Sequence, residues 1–150
     1  MSLVLTNEDH TRLQEMMFFA ECPRSTPEAM AFERLLRTLS CANVVPPERI
    51  PPDVVTMNSM VLVRDLDSSE RLRVVLCWPE DEDPSHDCVS VLMPLGTTLI
   101  GKHEGDVVDW IMPTGRRRIR IESVLYQPEA GPEGRYRPAT ARYVPMPEFP

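Results

Sequence analysis

Aromatic residues make up only 6% of this 150-residue chain, which argues against chemistries that need an aromatic-lined, water-poor pocket. Basic residues are also short: 16 Lys and Arg stand against 23 Asp and Glu, for a net charge of −7 at pH 7. Phosphate affinity comes from counterions released at Lys and Arg, so free nucleic acid is a poor partner; a protein with a basic face suits this chain better. No apolar run approaches the ~20 residues that span a bilayer, and the N-terminus lacks the basic and apolar regions of a secretory signal. The expected setting is therefore cytoplasmic, with no membrane partner. Cys22, Cys41, Cys77 and Cys88 form no C-x-x-C pair, and a cytosolic setting keeps thiols reduced. None has a His-plus-base arrangement that would support nucleophilic catalysis. Dinucleotide, P-loop, H-E-x-x-H and G-x-S-x-G motifs are all missing, so no cofactor and no catalytic residue is expected.

What is present is enough apolar content, 42%, for one packed core. The 16 prolines cluster at 46–52 and from 128 onward, where their missing amide donors mark boundaries. Leu13, Met16, Met17 and Ala20 have the spacing of one helical face, so residues 7–20 are expected to be a helix capped by Thr6 or Asn7. A second helix starts either at Thr26 with Pro27 in its first turn or from a Ser25–Glu28 capping box, with Ala29, Phe32, Leu35, Leu36 and Leu39 inward. Together they predict a short antiparallel helical hairpin over 6–45, roughly 20 Å long at ~1.5 Å per residue. Residues 46–52 form a stiff, extended linker. From Asp53 the period becomes two, giving strands over 54–64, 71–79, 87–92, 106–112 and 116–126 and a short helix stopped by Gly101. If 71–79 and 87–93 make a hairpin, Cys77 and Cys88 fall opposite each other, as two small apolar residues packing across strands. The fold class is α+β: the helical hairpin, the linker, a mainly antiparallel sheet over 53–130 with one short helix, and an extended tail over 131–150 pinned by Tyr136, Tyr143 or Phe149.

Four features invite a chemical reading. Arg116, Arg117, Arg118 and Arg120 are the one basic cluster, but strand alternation divides them between two faces, which favours a solvated strand over a phosphate site. Glu80, Asp81, Glu82 and Asp83 near His86 and Asp87 suggest a metal, but Pro84 interrupts the spacing and acidic loops are usually solvated; no metal is expected. His10 and His103 are isolated and expected to be exposed. Met93, Pro94 and Leu95 leave a strand with apolar side chains on a loop, where burial is geometrically hard. That turn is the best docking candidate.

Residues 87–112 run strand, one-turn helix, Leu99-Ile100-Gly101-Lys102, a tight Gly105-Asp106 turn and strand. That order resembles the C-terminal domain of the Gre (GreA/GreB) family of transcript-cleavage factors. Asp53-Val54-Val55-Thr56-Met57-Asn58-Ser59 upstream and Tyr126-Gln127-Pro128-Glu129-Ala130 downstream narrow the resemblance to Gre-like regulators with a shortened N-terminal hairpin, associated with control of nucleoside diphosphate kinase. The resemblance implies an FKBP-like sheet domain that docks on RNA polymerase through Ser90, Met93, Pro94, Leu95 and Thr97, with Met57, Asn58 and Ser59 as a second candidate edge. Met93 stands where Gre factors have serine. In Gre factors two carboxylates at the hairpin tip help hold a catalytic magnesium; here the tip offers Glu21 and Glu28 with Arg24 between them, not a tight acidic pair. The resemblance therefore implies a non-catalytic regulator that binds near the polymerase secondary channel, competes with Gre-type factors and affects nucleoside diphosphate kinase through expression. An active cleavage factor is the alternative, and an FKBP-like prolyl isomerase a more distant one. Oligomeric state is left open.

Overall fold

The computed structural model describes residues 3–24, 26–112 and 114–130; the expected tail contacts of Tyr136, Tyr143 and Phe149, and Ser25 as a cap, lie outside them. A three-residue strand, β1 (Val4–Thr6), leads directly into α1 (Asn7–Phe19). Thr6 is the cap: its Oγ1 accepts a hydrogen bond from the Asp9 amide at 3.1 Å, and Glu8 and Asp9 place negative charge in the first turn. α2 (Thr26–Cys41) has Pro27 in its first turn, where no amide donor is needed. It ends in β2 (Asn43–Val45), which pairs in parallel with β1. This small sheet was not expected. Alternation over three residues is too short a signal to read, and its partner lies some forty residues away in sequence. Nor is the proline-rich segment extended throughout: Pro47–Arg49 make one 3-10 turn that drops Ile50 onto Val4 and Val54.

The main sheet comprises β3 (Met60–Asp65), β4 (Arg71–Cys77), β5 (Cys88–Ser90), β6 (Val107–Met112) and β7 (Gly115–Tyr126), in the order β5-β4-β3-β7-β6. Its pairings are antiparallel except for β4 with β5. β3 begins at Met60 and not at 54. Asn58 takes a positive φ of 66°, which breaks the extended run, and the Ser59 hydroxyl folds back onto the Thr56 amide at 2.9 Å. The expected hairpin of 71–79 with 87–93 is also replaced. Between these strands the chain winds through 3-10 turns at Pro79–Asp81 and Pro84–His86, then re-enters alongside β4 in the same direction. Cys88 consequently faces Val75, and Cys77 faces Ser90. Burial, followed by the neighbouring Cys88 and acidic loop, pushes the Cys77 thiol up to about 12, so it stays protonated and unreactive.

One apolar core holds the described elements together. Leu5, Leu13, Met17, Phe32, Leu35 and Leu39 from the N-terminal part share it with Val61, Val63, Leu76, Trp78, Ile119 and Ile121 from the sheet and Leu95 and Leu99 from α3 (Pro94–Leu99). Leu36, expected inward, is instead exposed, and Ala31 is buried in α2. The buried Gln127 amide donates to the carbonyls of Pro51 and Val54, both at 2.8 Å, so the end of β7 clamps the segment that leads into β3. Asp9 sits where α1 meets this region and accepts from the Met57 amide at 3.2 Å. Burial and then the nearby charge of Glu129 push its carboxyl up to about 6. Because the folded value lies above the ordinary 3.8, the folded state holds the Asp9 proton more tightly, and Asp9 weakens the fold increasingly as pH rises from about 4 to about 6. Asp9→Asn keeps an acceptor for Met57 without the charge. Urea titrations are expected to find the variant more stable by on the order of 2 kcal/mol at pH 7.5, with little difference at pH 4.

Candidate docking site

The short helix α3 is seated by small residues and hydroxyls. Gly96 lies so close to the end of β5 that a Cβ there would run into the Ser90 carbonyl. The Thr97 hydroxyl donates to Val91 O at 2.7 Å, and the Thr98 hydroxyl to Pro94 O at 2.7 Å, closing the helix on itself and on the preceding turn. Ser90 is fixed on both sides: its Oγ accepts from the Leu92 amide at 3.1 Å, and its amide donates to Glu82 at 3.2 Å. These bonds leave one apolar side chain of the turn outward. Met93 is 39% exposed, and Pro94 beside it is half-buried.

Met93 and Pro94 form one wall of a groove of 360 Å³ whose other walls include Leu72, Val74, Val89, Leu95 and Trp110. Its rim is charged: Arg73 pairs with Asp87 at 3.3 Å, and Glu82 lies alongside. An apolar trough with an acidic rim, beside a rigid turn bearing one protruding Met, suits an apolar side chain carried on a basic partner surface.

Of the residues singled out from sequence, Ser90, Leu95 and Thr97 are buried and act by holding the turn. Leu95 corrects the idea that apolar side chains here escape the core: the turn runs straight into a helix, which aims Leu95 inward. In the second candidate edge Met57 and Ser59 are buried and only Asn58 is exposed. The Thr56 hydroxyl of the same segment donates to Glu129 at 2.6 Å, so this edge is committed to the fold. Leu72, Val89 and Trp110 were not singled out. Leu72 is exposed near the start of β4 and lines the groove. Only the pairing with β5 reveals this.

At the far end of the N-terminal helices, Glu21 and Arg24 are exposed, and Glu28 lies in the first turn of α2. The most prominent groups there are Phe18 and Phe19, both more than four-fifths exposed and stacked edge to face at 5.1 Å. They fall off the Leu13–Met17 face of α1, a signal that was available in the sequence. The acidic loop serves its own turn: Asp83 accepts from Ser85 at 2.6 Å and lies 2.6 Å from His86, and these bonds hold its carboxyl below the usual range. Among the described residues no three His, Cys, Asp or Glu side chains come together as a metal site. Arg117 pairs with Asp65 at 2.6 Å and Arg116 with Asp109 at 3.7 Å, while Arg118 and Arg120 are exposed. His10 lies 2.7 Å from Leu39 O and His103 3.6 Å from Asp53; both are half-buried, not exposed as expected.

Gly96→Ala tests how firmly this turn is set. Overpacking against the Ser90 backbone is expected to cost about 3 kcal/mol in urea denaturation. The side-chain NMR signals of Met93 should shift with it.

A family profile described as transcription elongation factor, GreA/GreB, C-term, matches residues 50–126. Transcription elongation factor GreA of Sulfurovum sp. (strain NBC37-1) is 34% identical over 86 residues, 57% of this chain and 53% of the relative. The regulator of nucleoside diphosphate kinase of Escherichia coli K12 is 38% identical over 93 residues, 61% of this chain and 68% of the relative. The matched region thus spans about half the length of the GreA relative and two thirds of the other. The solved structure of a prokaryotic transcription elongation factor GreA/GreB from Nitrosomonas europaea superposes with a TM-score of 0.69 at 35% identity, over 84% of this chain and 99% of that one.

Proposed function

The chain belongs to the GreA/GreB family of transcription elongation factors, and from that premise we propose that it is a Rnk-like, non-catalytic regulator that binds RNA polymerase near its secondary channel. There it competes with Gre-type factors, acts in the cytoplasm alongside the polymerase, and influences nucleoside diphosphate kinase only through expression. The sheet with α3 across it serves as the FKBP-like docking module, and the N-terminal helices as a short hairpin held beside it. The observation that carries this proposal is the groove of 360 Å³ next to the rigid Met93-Pro94 turn. An apolar anchor in a trough, ringed by charge, is how a few residues come to dominate an interface. The acidic rim and the net charge of −7 favour a basic partner surface and fast encounter with it.

The helical tip supports the non-catalytic part. Holding a second magnesium takes adjacent carboxylate oxygens. Here the described tip exposes Phe18, Phe19, Glu21, Cys22 and Arg24, with Glu28 half-buried in the first turn of α2, so its two carboxylates are seven residues apart with a guanidinium between them in sequence.

Two measurements test the function. Immobilised core RNA polymerase should capture the wild-type chain at ~10 μM or below, and Met93→Asp should weaken capture at least tenfold with no change in melting temperature. Stalled elongation complexes given this protein and magnesium should keep their RNA length, and cleavage stimulated by an added GreA should slow. Failure of the wild-type chain to bind polymerase would end the proposal, and shortened transcripts would turn it into a cleavage factor.

A further inference from the structure

A second concavity lies on another side of the molecule. Between α2 and the start of β6 is a cleft of 570 Å³, within the range of small-molecule sites. Arg34, Arg37 and Lys102 line it, three cations gathered on a chain whose net charge is −7. Arg34 is fixed by neutral acceptors: its Nη1 donates to Thr98 Oγ1 at 2.9 Å and to Asp109 O at 3.0 Å, so no carboxylate cancels its charge. The Asp109 carboxylate is turned to Arg116 at 3.7 Å. Lys102 is half-buried; burial, and then the charge of Arg34, pull its ammonium below the ordinary range, with Asp106 opposing. Arg37 is exposed at the mouth. Among the described residues neither Arg37 nor Lys102 has a carboxylate within ion-pair distance. Three cations outnumber the one carboxylate, Asp106, that opposes Lys102 in the cleft, and a bound anion would offset the excess positive charge.

One carboxylate narrows the class of anion. Asp106 also lines the cleft and is only 5% exposed; its Oδ2 accepts from the His103 amide at 2.8 Å, while its Oδ1 meets no donor. A bare inorganic anion brings that carboxylate no donor. A molecule carrying both a phosphate and a hydroxyl or amino group would satisfy both ends. Guanidinium forks match phosphate oxygens, and a dianion matches several cations better than a carboxylate does.

We propose that the cleft between α2 and β6 binds a small phosphate ester, its phosphate held by Arg34, Arg37 and Lys102 and its hydroxyl or amino group donating to Asp106 Oδ1. This does not rest on polymerase binding, and its test needs no polymerase. Isothermal titration of the full chain, followed by NMR, would use ribose 5-phosphate, inorganic phosphate and ribose as probes. Ribose 5-phosphate is expected to bind at millimolar or lower concentration, about tenfold tighter than inorganic phosphate, with ribose silent. Lys102→Met and Arg37→Glu, each with an unchanged melting temperature, should each weaken binding about tenfold. Asp106→Asn should erase the preference for the ester. Absence of heat and shifts at ~10 mM of either phosphate would overturn the proposal. So would affinity untouched by both cation variants, or equal affinity for the ester and inorganic phosphate.

Discussion

Burial of the N-terminal helices in the same apolar core that fills the sheet is the constraint on which the other features depend. Helices of 13 and 16 residues are marginal in water when isolated. They persist here because Leu13, Met17, Phe32, Leu35 and Leu39 share one cluster with Val61, Leu76, Ile121 and Leu99. Two polar contacts reinforce the attachment from outside. Arg12 lies over the Trp78 ring at 3.9 Å and reaches Glu80 at 2.9 Å, and Arg34 bonds to α3 and β6. The exposed Arg12–Glu80 pair contributes little by itself, but the ring contact sits on a side chain that is almost wholly buried. The raised carboxyl of Asp9 is the counterpart of this attachment. Docking α1 onto the Met57 region covers a charge that would otherwise stay in water.

Much of this architecture could be read from the chain before any coordinates. The Leu13–Met17 spacing, the Thr6 cap, Pro27 in the first turn of α2, and the period of two over 116–126 each gave an element of the right kind in the right place. What misled was context. β5 is three residues long and parallel to its neighbour, and nothing in Cys88–Ser90 states a direction; the two 3-10 turns before it do, but only in space. The β1–β2 pairing joins residues about forty apart through backbone bonds that leave no side-chain pattern. Leu95 was read as a loop residue after a strand over 87–92; the strand ends at Ser90, and the helix that starts at Pro94 turns Leu95 inward.

The candidate site divides in the same way. Met93 and Pro94 were recognisable as an apolar protrusion; Met93 is outward and Pro94 half-buried beside it. The groove beside them was not recognisable, because Leu72, Val89 and Trp110 come from three strands brought together by sheet order. The cationic cleft was hidden for a related reason. In sequence Arg34 and Arg37 lie off the Phe32–Leu35–Leu39 face of α2 and Lys102 follows the Gly101 stop, and nothing in that spacing joins them. Only packing α2 against β6 makes them neighbours. The Arg116–Arg120 run, conspicuous in sequence, spends two of its members on pairs with Asp65 and Asp109.

α3 lines the first groove and is bonded to Arg34 of the cationic cleft. Its first residues, Pro94 and Leu95, line the candidate docking groove, while Thr98, one turn later, accepts the hydrogen bond from Arg34. The Thr98 hydroxyl in turn donates to Pro94 O at 2.7 Å. A chain of two short hydrogen bonds therefore joins a guanidinium of the cleft to the backbone of the docking turn, in a helix that Gly96 allows no room to shift toward β5. Because α3 is only six residues long, it has no independent stability with which to absorb a displacement at one end. Its position is set by its neighbours, and Arg34 is one of them. The pose of Met93 thus follows from how α2 sits on the sheet, which returns the candidate surface to the shared core that holds α2 there.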